Sequence, residues 1–301
     1  MGTEAIDTFR RYLANLDWTK ADFDERKAYA CCIYSQFAYR HIPKMELSGT
    51  DRLKLIPCGA YEEQLDDGID YDGYRVLAEL ALGEGFVIET ERVIALGLIT
   101  ADKIFIAIRG TAKLYTSAGL KDALYDVKYF KAPEHPAITG AVHRGFLQAT
   151  EEFCGKLRDQ LIRWRWDRRP ITITGHSLGG AISAILHTFW DGLQPELVEH
   201  DMRPTCTYTF GMPRFGNTEA VRCAKNLYPV YHPGDLIPTL PPRETGFADV
   251  NSEYALMDDG LDPTLEYKGK FRTLEKHAIA NYRSQFETDS AIKRRLKLDQ
   301  A

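Results

Sequence analysis

Apolar positions along this chain change period near residue 92. Before it, the spacing is helical. Ile6, Phe9, Leu13 and Leu16 share one face of residues 3–16, which predicts a short amphipathic helix. A second helix is predicted from about Asp22 to Arg40, with Tyr29, Ile33, Phe37 and the cysteines Cys31 and Cys32 on its apolar side, stopped by His41-Ile42-Pro43. Residues 46–90 hold the acidic stretch Glu62 to Asp72 and then an apolar helical pattern from Val76 to Leu82. After it, short β-rich runs appear. Arg92 to Ile99 and Lys103 to Ile108, joined at Thr100-Ala101-Asp102, predict a hairpin. Residues 112–140 show little regular pattern, and a loop of that length inside a compact domain is usually functional, for instance as a lid. A long helix follows over Gly145 to Trp166, a strand at Ile171 to Thr174 and an apolar helix from Ile182 to Trp190. Then come a strand at Thr205 to Phe210, a helix at Asn217 to Asn226, a strand at Tyr228 to His232 and a last helix at His277 to Phe286. This alternation predicts an α/β fold, with a mostly parallel central sheet and helices on both faces. The 1–301 chain is expected to be a single domain, with 1–90 as a helical N-terminal segment packing on the core.

Composition narrows the function. Of the 301 residues, 44% are hydrophobic and 27% charged, the balance of a globular protein with a large core. The net charge of −5 lacks the basic footprint of a nucleic-acid binder. No apolar run approaches the ~20 residues that span a bilayer. The N-terminus, Met1-Gly2-Thr3-Glu4-Ala5-Ile6-Asp7, has no basic segment followed by an apolar one, and Ile6 breaks the myristoylation pattern. That predicts a cytoplasmic protein, or else a mature or engineered form. The six cysteines, Cys31, Cys32, Cys58, Cys154, Cys206 and Cys223, show no C-x-x-C spacing and are expected to be buried free thiols.

Chemistry concentrates at Ser177, in Gly175-His176-Ser177-Leu178-Gly179 followed by Gly180 and Ala181. A β-branched strand precedes this G-x-S-x-G run and an apolar helix follows it. Such a strand–turn–helix exposes the serine hydroxyl on a strained turn. Gly175 and Gly179 let strand and helix pass close together. The helix N-terminus aims backbone N–H groups at the place where negative charge would develop.

A serine needs a base, usually a histidine oriented by a carboxylate, in the chain order Ser, Asp, His for this arrangement. Downstream histidines are His187, His200, His232 and His277. His187 lies on the helix leaving the turn and cannot reach back. His200 sits in an acidic connection. His232 stands too close to Asp235 for that carboxylate to orient it and leave room for the serine. His277, late in the chain, is the expected base. Asp235 follows a strand and a Pro233-Gly234 turn, at a strand's C-terminal end where α/β sites collect. Asp249, Asp258, Asp259 and Asp262 are rivals in a polar loop with no strand before it. For the oxyanion, the backbone N–H of Leu178 is one expected donor. Thr111, in the Arg109-Gly110-Thr111 turn after a strand, can offer the second.

Taken together, Ile108-Arg109-Gly110-Thr111, Val142-His143-Arg144-Gly145-Phe146, Gly175 to Ala181, Phe210-Gly211-Met212-Pro213-Arg214-Phe215-Gly216-Asn217, Asp235 to Pro242 and His277 resemble the class 3 (fungal-type) lipases of the α/β-hydrolase superfamily. The resemblance covers roughly residues 92–287. It implies the α/β-hydrolase fold, a triad of Ser177, Asp235 and His277, and an oxyanion hole of Thr111 and Leu178. It also makes residues 112–130 a lid over the site, opening at an oil–water interface. The implied partner is a lipid or small ester, with transient contact to an oil droplet or membrane surface. No cofactor and no metal are implied. Phospholipase A1 or galactolipase chemistry shares the scaffold, and a non-catalytic binding module is the alternative of a different class. Asp70, Asp72, Gly73 and Glu79 have part of a calcium-loop spacing, but Gly68 stands where the first carboxylate belongs. Trp164 and Trp166 among Arg163, Arg165, Arg168 and Arg169 read as a solvated helix end.

Overall fold

The computed structural model describes residues 16–38, 84–99, 103–109, 135–164, 169–232, 234–250 and 275–288. The first predicted helix, the acidic stretch, the lid segment 112–130, Thr111 and the partial calcium spacing lie outside the described residues.

Among the described residues, six strands form one sheet in sequence order: β1 Glu84–Glu89, β2 Ile94–Ile99, β3 Ile104–Arg109, β4 Ile171–His176, β5 Pro204–Phe210 and β6 Leu227–Val230. β1, β2 and β3 pair antiparallel, and β3 through β6 run parallel. The sheet is therefore mostly parallel, as expected, with the predicted hairpin at β2–β3. The helices between the parallel strands are α2 Arg144–Trp164, α3 Leu178–Thr188, the short α4 Trp190–Leu193 and α5 Pro195–Glu199, and α6 Thr218–Arg222. α1 Glu25–Phe37 precedes the sheet and α7 Ile279–Thr288 follows it.

Strand periodicity sorts the core onto two faces. On β3, Ile104, Ile106 and Ile108 join Ile171 and Ile173 of β4 against Phe153, Leu157 and Leu161 of α2 and Ile182 and Leu186 of α3. The intervening Phe105 and Ala107 join Cys206, Tyr208 and Phe210 of β5 against α1 and α7. α1 begins at Asp24, whose carboxylate caps the Arg26 N–H at 2.8 Å.

Several element ends depart from the sequence reading. β1 is a strand inside the segment read as helical up to residue 90, which corrects that reading at its end. Phe86-Val87-Ile88 is an apolar run of only three residues between Gly85 and Glu89, too short and without alternation to mark a strand. Tertiary packing completes the strand: Phe86 lies over Gly97 of β2, where any Cβ would come within 2.2 Å of the ring. The helix expected over Asn217 to Asn226 is only Thr218–Arg222, because Cys223 caps it and Asn226 turns to positive φ (52°). The helix expected from Ile182 to Trp190 begins earlier, at Leu178, and breaks at Phe189. His277 does not open the last helix; it closes a 3₁₀ turn, Glu275–His277, just before α7. The described cysteines, Cys31, Cys32, Cys154, Cys206 and Cys223, are free. Among the described residues no helix is long and apolar enough to cross a membrane.

Candidate active site

The C-terminal ends of β4, β5 and β6 lie side by side, because parallel neighbours end at the same edge. β4 passes into the turn at Ser177, β5 into Gly211, and β6 into the loop that carries Asp235. Ser177 has φ 59° and ψ −130°, a conformation that costs a non-glycine residue ~1–3 kcal/mol and persists only where the surroundings impose it. They do so here: the Ser177 N–H donates to the Phe210 carbonyl at 2.9 Å, and the Ser177 carbonyl accepts from Gly180 N–H at 2.9 Å. A Cβ on Gly175 would stand 2.4 Å from the Gly179 carbonyl oxygen, so the close strand–helix crossing needs glycine there. Leu178 is the first residue of α3, so its N–H belongs to the helix end that has no intrahelical acceptor.

Three of the residues expected to act together meet at this edge. His277 Nε2 is 2.7 Å from Ser177 Oγ, and His277 Nδ1 is 2.7 Å from Asp235 Oδ2. The carboxylate can only accept, so Nδ1 carries the proton and Nε2 is left to accept from the serine hydroxyl. Asp235 is 1% exposed. A buried carboxylate needs partners on its lone pairs, and among the described residues it has three: His277, the Ile237 N–H on Oδ1 at 2.9 Å, and the Tyr282 hydroxyl on Oδ2 at 2.6 Å. Burial first, and Asp235 second, push the Tyr282 phenol well above its usual range, so it stays a proton donor. Gly211 makes room for the pair: at φ +56°, a Cβ there would stand 2.8 Å from Asp235 Oδ2 and 3.0 Å from the His277 ring. The rival Asp249 is engaged elsewhere, with Arg214 Nε at 2.6 Å and with Arg243.

The motifs singled out in the sequence are bonded to one another. Val142 bridges Gly216, and the His143 N–H donates to the Phe215 carbonyl at 2.8 Å. Arg214, 9% exposed, grips the loop that follows Asp235. Its N–H donates to the Leu240 carbonyl at 2.7 Å, and its Nη1 donates to the carbonyls of Thr239 and Pro241. The other histidines have separate roles. His187 bonds Thr207 Oγ1 at 2.7 Å beneath α3, and His232 Nδ1 accepts from Gly234 N–H at 3.1 Å. Burial drives His143 and His187 down to about 4. Leu178 opens α3 directly after Ser177, whereas Thr111 lies outside the described residues. Sequence reasoning missed Tyr282 and the side chain of His176. The Tyr282 signal was present as a tyrosine five residues after the histidine, but only the fold shows that it turns toward Asp235.

A serine hydroxyl held by an imidazole, an imidazole held by a buried carboxylate and a helix that starts right after the serine are an arrangement that can carry out serine-hydrolase chemistry on an α/β sheet. A family model described as lipase (class 3) matches residues 105–245. Lipase A of Sodiomyces alcalophilus is 27% identical over 154 residues, covering 45% of this chain and 36% of its own length. Secreted mono- and diacylglycerol lipase 2 of Gibberella zeae is 28% identical over 148 residues, covering 44% and 35%. The lipase of Rhizomucor miehei is 24% identical over 207 residues, covering 64% and 52%. Among solved structures, lipase II from Rhizopus niveus is similar at a TM-score of 0.48 and 20% identity, over 75% of this chain and 79% of that one. Residues 105–245 of the chain therefore match the class 3 lipase family. It spans between about a third and a half of the length of these named relatives.

Proposed function

We propose that the protein is a carboxylic-ester hydrolase acting on lipid esters, with Ser177 as nucleophile, His277 as base and Asp235 as the orienting acid. The observation that carries this reading is the unbroken hydrogen-bond chain from Ser177 through His277 to Asp235, in a chain with a class 3 lipase segment. Ser177 Oγ attacks the ester carbonyl as its proton passes to His277 Nε2. The carbonyl oxygen becomes an oxyanion and takes the Leu178 N–H, with Thr111 as the second donor. The imidazolium, held by Asp235, returns the proton to the leaving alcohol oxygen as the ester C–O bond breaks. Water, deprotonated by the same imidazole, then hydrolyses the acyl-serine and frees the acid. Residues 112–130 form the cover of the cleft, and contact with an oil or membrane surface accompanies its opening. The whole chain acts as one domain.

Relatives named as lipases and as mono- and diacylglycerol lipases support a glyceride as substrate. The test is hydrolysis of p-nitrophenyl esters from short to long acyl chains, beside a triglyceride emulsion, a diacylglycerol and a phospholipid. Ester turnover highest on the glycerides is expected. Preference for the phospholipid would move the assignment to a phospholipase A1. No turnover of any ester by folded protein would reduce the site to a binding module.

A further inference from the structure

His176 takes no part in the chemistry above, yet it touches the base. It ends β4, immediately before Ser177, and is 3% exposed on the face toward α7. Its Nε2–H donates to the carbonyl oxygen of His277 at 2.6 Å. The two rings lie 4.6 Å apart at 31°, and the Tyr282 ring stands 6.0 Å away edge-on. The bonded carbonyl belongs to an awkward place in the chain. It ends the 3₁₀ turn Glu275–His277, and the next helix begins its own ladder one residue on, with Asn281 N–H donating to Ala278. A buried carbonyl at such a break needs a partner from outside, and His176 supplies it.

We propose that His176 is a positioning residue: through the His277 backbone it holds the His277 ring within reach of Ser177. The proposal rests on the role given to Ser177 and His277 above. Residues 176 and 177 are adjacent, and between them they grip one residue at two points. His176 holds its backbone, and Ser177 meets its ring at 2.7 Å. The serine–imidazole separation is thus closed through a short circuit of covalent and hydrogen bonds, and does not depend on the long chain between positions 177 and 277. Burial first, and the nearby His277 second, hold the His176 imidazole well below the ordinary histidine range, so it stays neutral with its proton on Nε2. A neutral neighbour also spares the imidazolium that forms on His277 from repulsion.

The test compares His176→Phe, which keeps the ring and loses the donor, with His176→Gln, whose Nε2–H₂ sits the same number of bonds from Cα. Two readouts are used: kcat and KM on a short ester, and the rate at which a small fluorophosphonate labels Ser177, which is independent of the natural substrate. Misplacement of a catalytic group by about 1 Å can cost ~10²-fold. His176→Phe is therefore expected to lower kcat and the labelling rate by roughly 10- to 100-fold with KM unchanged, and His176→Gln to recover most of the loss. Phe and wild-type rates within twofold of each other would overturn the proposal. So would a folded Gln variant as slow as Phe, because the donor would then not be what matters. Wild-type protein that labels at Ser177 but hydrolyses no ester would overturn only the proposed function.

Discussion

The two faces of the sheet are built from different chemistry. Toward α2, β3 and β4 present Ile104, Ile106, Ile108, Ile171 and Ile173 to phenylalanine and leucine, contacts with no directional element. Toward α1 and α7 the same two strands and β5 meet aromatic rings and hydroxyls. Tyr34 stacks on Phe105 at 4.2 Å, Ser35 Oγ meets Thr174 Oγ1 at 2.8 Å, and the Tyr208 hydroxyl accepts the Asp24 N–H at 3.0 Å. α1 is tied to α7 in turn, since the Tyr29 hydroxyl donates to Glu287 at 2.8 Å and Arg283 bonds the same carboxylate at 2.6 Å. Dispersion and hydrophobic burial fix volume but tolerate small displacements, whereas hydrogen bonds fix position within tenths of an ångström. The wired face is the one that leads to His277 and Asp235. The α2 face should therefore govern stability, and the α1–α7 face should also govern catalytic geometry.

The largest expected effect lies where the faces meet. Ser177→Ala should cut kcat on a p-nitrophenyl ester by about 10⁶, with an unchanged melting curve. Residual activity of more than a few per cent in purified protein would contradict the assignment. Asp235→Asn should cost about 10⁴ by leaving His277 in the wrong tautomer. Normal turnover in that variant, with Asp249→Asn inactive, would move the acid to Asp249.

Below these, the two faces should separate. Ile106, fully buried toward α2, should lose ~2–5 kcal/mol of stability in Ile106→Ala, read from denaturant melts. The folded fraction should keep its kcat, and a kcat loss beyond threefold would dissolve the contrast. Tyr282→Phe removes one hydroxyl from Asp235 on the wired face. We expect kcat to fall about 10-fold, the worth of roughly 1.4 kcal/mol, with less change in stability than in Ile106→Ala. An unchanged kcat would show that His277 and the Ile237 N–H suffice to orient the carboxylate.

The last expected effect is confined to acid pH. Burial holds His143 and His187 at about 4 in the folded chain, below the ordinary value of 6.5. Between those values the unfolded chain binds more protons, so stability is complete above about pH 6.5 and declines as pH falls toward 4. Thermal melts should show that decline, and His187→Gln should make it shallower. An equal slope in the variant would mean that His187 is not among the groups responsible.

Much of the element order was legible in the sequence, and the reasons differ by element. The strand, turn and helix around Ser177 are contiguous, so β-branched residues, glycines and apolar spacing could report them locally. α2 was legible because it is long and amphipathic, and β3 because Ile104 to Ile108 is an unbroken apolar run with β-branched isoleucine at every second position. β1 was not, since a six-residue edge strand is completed by Phe86 lying over Gly97. The end of α6 and the 3₁₀ turn at His277 were missed because caps and helix breaks depend on which carbonyls find partners.

By itself the sequence determined the alternation of strands and helices, the nucleophile's turn, and the residues able to serve as acid and base. All of these follow from local spacing, backbone preference and the chemistry of side chains. Only the tertiary structure decided that His277 reaches Ser177, that Asp249 is spent on Arg214 and Arg243, and that Tyr282 and His176 close around the pair. Those contacts join residues far apart in the chain. Hydrogen bonds of this reach exist only once parallel strands have ended at one edge and buried groups must find their partners there.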